Sequence, residues 1–234
     1  MRAITAAALA ALIALSGCVV ETGGSQAPAP APTQRGPTPD RISGSTAAAN
    51  FRAAVARVEP VAESVCRQRT RNVNCDFLIR VDPNRNAPSN AFQSLTRNGR
   101  PVLTFTLALI ADTRNQDEIA FVLGHEAAHH IEGHIAQQQQ SAAAGAILGG
   151  LLGEVAGVGG LDRVGGTIGA RRFSKAHELE ADALGTIITD AAGYDPIRGA
   201  QFFFRIPDPG DRFLGSHPPN ADRVATVNRT AARL

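Results

Sequence analysis

The chain has 234 residues with 23 basic and 21 acidic side chains, long enough for one compact domain with its own core. A net charge of +2, a single lysine (Lys175) and no tryptophan argue against a nucleic-acid-binding module, which needs a basic face and stacking aromatics.

Residues 1–17 read as a signal peptide. Arg2 supplies the positive end, and Ala6 to Leu15 form an apolar stretch shorter than the about 20 residues a bilayer span needs. The stretch ends in Leu15-Ser16-Gly17-Cys18, which resembles a bacterial lipobox, so Cys18 is the candidate lipidation site. The alternative is an ordinary secretory leader with an incidental cysteine. Acyl chains on Cys18 would anchor the protein stably. Val19 follows, where an aspartate would mark inner-membrane retention, so the expected location is the outer membrane, facing the periplasm. Residues 18–45, rich in Ala, Pro, Thr and Gly, cannot bury enough apolar area to order themselves and read as a flexible tether.

The folded part is expected over 46–234. Phe51, Val55, Val58, Ala62 and Val65 recur at helical spacing, with Pro60 predicted to interrupt or kink the helix. Cys66 and Cys75 remain as an even pair in an oxidising compartment, a candidate disulfide worth about 2–3 kcal/mol, with two buried thiols as the alternative. Phe77 to Val81 reads as a strand ended by Asp82-Pro83-Asn84. Ala91–Leu95 and Pro101–Thr106 flank Asn98-Gly99 as a hairpin, with Pro101 placed on an edge strand.

Asn115 and Glu118 form a capping box for a helix that carries its period through Ile119, Val122, Leu123, Glu126 and His130 into the Gln137–Gln140 run. The segment 142–169 is apolar and interrupted by glycine. Its first twenty residues have Glu154 as their only charge, and it reads as a helical hairpin or flap rather than a membrane span. A second helix is predicted to begin after Ser174 and end at Gly193.

His125-Glu126-Ala127-Ala128-His129 places two imidazoles one turn apart on one helix face, where both can reach one Zn²⁺, with Glu126 beside a water on the ion. His134, nine residues after His125, falls about half a turn away and should not join the same ion. The third ligand is sought in Lys175-Ala176-His177-Glu178-Leu179-Glu180-Ala181-Asp182. Glu178 is preferred over its rival Glu180 because Asp182 follows it by one turn and can accept a hydrogen bond from a ligand imidazole. His130 and His134 are expected at the surface or just behind the ligands, and His177 in solvent.

Val122–His134, Glu178-Leu179-Glu180-Ala181-Asp182, Ala192-Gly193-Tyr194-Asp195-Pro196 and Ser216-His217-Pro218-Pro219 followed by Arg223 occur in that order. Together they resemble the zinc metalloendopeptidase family of HtpX, the CAAX prenyl proteases and the periplasmic BepA/LoiP-like lipoprotein metallopeptidases. The resemblance covers residues 50 to 234. It implies an α+β, mostly helical zincin-like domain with a small sheet or hairpin beside the active-site helix. By position it implies one zinc on His125, His129 and Glu178, Glu126 as the catalytic base, and Asp182 behind the site. His217 becomes a candidate oxyanion stabiliser or fourth ligand, with a structural loop histidine as the alternative; Arg223 either assists or pairs with an acid. Ala128 replaces the family's usual glycine, and Leu95–Arg100 replaces a tighter turn, which leaves the edge strand's register against substrate open.

The expected activity is hydrolysis of peptide bonds in misfolded or unassembled envelope polypeptides, with an extended substrate added along Pro101–Thr106. The rival readings are an envelope chaperone or assembly factor with latched activity, and a lipoprotein whose metal is structural. The expected partners are unfolded polypeptides and, through the anchor, the membrane; no nucleic acid is expected.

Overall fold

Helix α1, Gly44–Arg69, begins at Ser43, whose hydroxyl accepts a hydrogen bond from the Thr46 amide. It runs through Pro60 without interruption. Pro60 and Ala56, whose carbonyl loses its helical donor there, both face solvent, so water can satisfy the lost bond. The opposite face, Ala47, Ala54, Val58, Ala62 and Cys66, is buried. The computed structural model describes residues 42–141, 143, 173–206 and 218–234. The leader, Cys18, most of the tether, His217 and nearly all of the 142–169 segment lie outside the described residues.

Cys66 is disulfide-bonded to Cys75, with Cα atoms 5.7 Å apart. The bridge ties the end of α1 to the segment entering β1, Leu78–Asp82. Strands β2, Ala91–Leu95, and β3, Pro101–Thr106, form the expected hairpin, its turn closed by Thr96 and Gly99 at φ +75°. The sheet order is β1-β3-β2, with β1 parallel and β2 antiparallel to β3. This corrects one expectation: β3 is the central strand, so neither Pro101 nor its neighbours lie on an edge. Pro101 is accommodated because it opens the strand, one residue before the pairing with β1 starts at Val102.

Helix α2, Leu107–Asp112, leads into α3, Gln116–Ile131. Asn115 caps α3 by accepting from the Glu118 amide, and the Glu118 carboxylate returns to the Arg114 amide. Nearly all of α3 is buried, so it forms the centre of the domain. Helix α4, Lys175–Ala191, lies against it, capped by Ser174. A short α5, Pro196–Gly199, a 3₁₀ turn over Ala200–Phe204, and α6, Asn220–Ala231, close the far side, where Phe121, Phe203 and Val227 pack together. The domain is therefore α+β, mostly helical, with a three-stranded sheet. Among the described residues no helix is long and apolar enough to cross a membrane.

Candidate metal centre

The position of the site is set where α3 and α4 touch. A Cβ on Gly124 would lie 2.8 Å from the Gly185 carbonyl oxygen, and one on Gly185 would lie 2.9 Å from the His125 nitrogen. Two glycines thus let the backbones meet where a larger residue would hold them apart. Beside this contact the Thr189 hydroxyl donates within α4 to the Gly185 carbonyl at 2.7 Å and lies 3.5 Å from the Ala120 carbonyl of α3.

This approach brings His125 and His129 of α3 to Glu178 of α4. The two Nε2 atoms are 3.0 Å apart, and the Glu178 carboxylate oxygens lie 3.7 and 3.6 Å from them. All three residues are buried, and their ligand atoms lie within 4.8 Å of one another. Donors arranged tetrahedrally around zinc at about 2.0–2.1 Å stand roughly 3.3 Å from one another, so the group fits one such ion. The close approach of two imidazole nitrogens beside a carboxylate is compatible with a shared cation. Glu180, the rival ligand, points elsewhere: its Oε2 meets His134.

Each imidazole is held from behind. Nδ1 of His125 lies 2.9 Å from Asp182 Oδ1. Arg223 of α6 grips the same carboxylate with two donors, Nε at 2.8 Å and Nη2 at 2.6 Å, while its guanidinium lies 3.8 Å from the Phe203 ring centre. The sequence left the role of Arg223 open; it pairs with an acid, and that acid holds a candidate ligand. Burial pushes the Asp182 carboxyl up, but Arg223 and His125 outweigh it and hold the group below the ordinary carboxylate range. Burial likewise lowers the His125 pKa, but the bond to Asp182 and the negative charges of Asp182 and Glu178 together leave it raised.

His129 is different. Burial and the neighbouring imidazoles push its pKa far down, which keeps it neutral, the form that can ligate a metal. Its Nδ1 meets Nδ1 of His134 at 2.8 Å, and Phe173 stacks on its ring at 4.1 Å. The expected unbroken helix does not continue here. Helix α3 ends at Ile131, Gly133 takes φ +71°, and the chain restarts at His134, which is fully buried. His177, expected in solvent, instead stacks on His134 at 4.4 Å. His130 turns to the disulfide-bonded segment, its Nε2 2.8 Å from the Asn74 carbonyl.

Glu126 is buried beside the ligands and lines a cleft of about 640 Å³ that also holds His125, His129 and Glu178. Its walls include Ala91 to Gln93 of β2, Phe202 and Phe203. His217 and Cys18 lie outside the described residues.

Three features escaped the sequence reading: the Gly124–Gly185 contact, the burial of His134 and the grip of Arg223 on Asp182. The signals for the first two were glycines, two inside predicted helices and one, Gly133, immediately before His134.

Comparison with known proteins agrees with the geometry. A beta-barrel assembly-enhancing protease of Yersinia pestis is 32% identical over 145 residues, covering 54% of this chain and 30% of that protein. A provisionally named beta-barrel assembly-enhancing protease of Vibrio cholerae is 28% identical over 144 residues, 53% of this chain and 29% of that protein. The chain thus matches about three tenths of the length of these relatives. The family model for peptidase family M48 matches residues 56–231, which spans both ligand helices and α6, and the chain belongs to that metallopeptidase family.

Proposed function

We propose that this protein is a zinc-dependent metalloendopeptidase of the cell envelope, cutting misfolded or unassembled polypeptides. The observation that carries the reading is the convergence of His125, His129 and Glu178 in a cleft that also contains Glu126. Two neutral imidazoles and one carboxylate are a donor set for a catalytic zinc with a position left over. A zinc ion held there would supply Lewis-acid polarisation of the scissile carbonyl and bring a water's pKa to about 7.

The chain's own groups do the rest. Glu126 accepts the proton of the attacking water and passes it to the leaving amine. Asp182 and Arg223 keep His125 facing the ion. Strand β2 is the outer strand on the cleft side, so an extended peptide would add along Ala91–Gln93 rather than along β3. His217, immediately before the Pro218-Pro219 step that leads to Arg223, is proposed to stabilise the oxyanion.

The lipobox-like sequence at Cys18 supports an outer-membrane anchor on the periplasmic side. The names of the relatives support clients among β-barrel proteins in assembly.

The mature protein should carry about one zinc per chain and degrade unfolded casein in a chelator-sensitive reaction. Glu126→Gln should retain the metal and lose at least about a hundredfold in rate, the lower range for a general base. Casein cleavage by that variant at the wild-type rate would remove Glu126 from the mechanism. Client binding without cleavage by the zinc-loaded wild type would favour the chaperone reading.

A further inference from the structure

The imidazoles of His125 and His129 both turn their second nitrogen away from the candidate ion, but only one meets an acid directly. For His129 the contact is with His134 at 2.8 Å, and His134 in turn reaches Glu180 at 3.1 Å. Neither residue belongs to the proposed ion site or serves as its base. We infer that His134 and Glu180 are positioning residues that fix the tautomer and seat of His129, and so set how tightly the site holds its ion.

Counting protons gives the direction. Nε2 of His129 faces His125 Nε2 at 3.0 Å and Glu178 at 3.6 Å, so as a ligand it carries no proton. The single proton of the neutral ring is then on Nδ1 and is donated to Nδ1 of His134. That nitrogen must be bare, which puts the His134 proton on Nε2, where it is donated to Glu180 Oε2. A carboxylate only accepts, so the chain ends there and each link is determined by the one before it. Glu180 thereby does for His129, through one intervening ring, what Asp182 does for His125 by contact.

The packing supports a positioning role. His134 is fully buried, whereas the Glu180 side chain is 57% exposed, so the polar ring is held inside by its two partners. His177 lies almost parallel to it at 13°, and Phe173 lies at 17° to His129, which restricts both rings from turning. Residue 134 reaches this place only because of the break at Gly133; an unbroken α3 would carry it about half a turn from His125.

The inference rests on the ion site proposed above, and the test separates the two. Zinc dissociation constants are measured in the full-length protein by competition with a chromophoric chelator, beside thermal unfolding of the ion-free forms. His134→Leu removes the acceptor and should weaken zinc binding about 10- to 100-fold. His134→Gln offers an amide oxygen to Nδ1–H and should recover to within about threefold of wild type. Cobalt-loaded His134→Leu should show a shifted visible spectrum, which loss of packing elsewhere would not produce. Should His134→Leu fail to fold, Glu180→Leu changes only the exposed end and should still weaken zinc by about threefold or more. Wild-type affinity in whichever of these leucine variants folds overturns the inference, as does equal weakness of His134→Leu and His134→Gln. A wild-type chain that takes up no zinc overturns the ion site itself.

Discussion

The two imidazoles of the candidate centre are supported in different ways. Behind His125 stands a fully buried ion pair, Asp182 with Arg223, sealed under α6. Behind His129 stands a neutral ring, His134, whose far side ends at Glu180 in solvent. A buried pair is costly to break, because either partner alone is an uncompensated charge, whereas an exposed acid is easily replaced by water. The His125 side should therefore contribute to holding the fold, and the His129 side chiefly to seating the ion.

The largest effect should come from Arg223→Met. It leaves the Asp182 carboxylate in the interior with His125 as its remaining partner among the described residues, and should cost about 3–5 kcal/mol in urea denaturation. Glu180→Ala, the counterpart on the other side, should cost less than about 1 kcal/mol. Adding Asp182→Asn to Arg223→Met should return part of the loss, since the buried charge goes with its partner. Equal losses for Arg223→Met and Glu180→Ala would erase the contrast.

A smaller effect is expected at the hinge between the two sides. Gly185→Ala puts a Cβ 2.9 Å from the His125 nitrogen and 3.0 Å from its Cα, against backbone that has nowhere to go. The helices must separate, at a cost of about 1–3 kcal/mol, with weaker zinc uptake because Glu178 rides on the displaced helix. Undiminished stability together with wild-type zinc affinity would mean that the close approach does not set the site.

These residues also show what was legible beforehand. The cluster of His125, His129 and Glu178, with Glu126 and Asp182 beside it, could be read because these residues follow one helical period within unbroken stretches, 125 to 129 and 178 to 182. His134 could be placed only at the surface or behind the candidate ligands, because a period holds only while the helix does, and Gly133 ends it. The strands were legible to the residue at β2 and β3, yet the sheet order was not. Turn chemistry determines which strands are joined, but which strand is central depends on the long-range pairing of β1 with β3. The disulfide was suggested by cysteine parity. Arg223 was recognised as present but could not be assigned, since its partner lies 41 positions away.

The two sides should also respond oppositely to acid, and this is the subtlest way to test the contrast. In the ion-free protein His129, His130 and His134 have pKa values lowered below the ordinary histidine value, in each case by burial first. Below about pH 6.5 the unfolded chain takes protons at these three positions that the folded chain refuses, so stability falls as pH falls. His125 has the opposite sign: burial lowers its pKa, but the bond to Asp182 and the charges of Asp182 and Glu178 together leave it raised, so its contribution is fully present below about 6.5 and fades as pH climbs through the folded value. Three groups oppose one, and the melting temperature in chelator should drop between pH 7.5 and pH 5.5. His134→Gln removes one member of the majority and should make that drop shallower, whereas His125→Gln removes the opposing group and should make it steeper. A melting temperature that rises on acidification would show that the His129 side is not held neutral, and the asymmetry between the two ligands would fall with it.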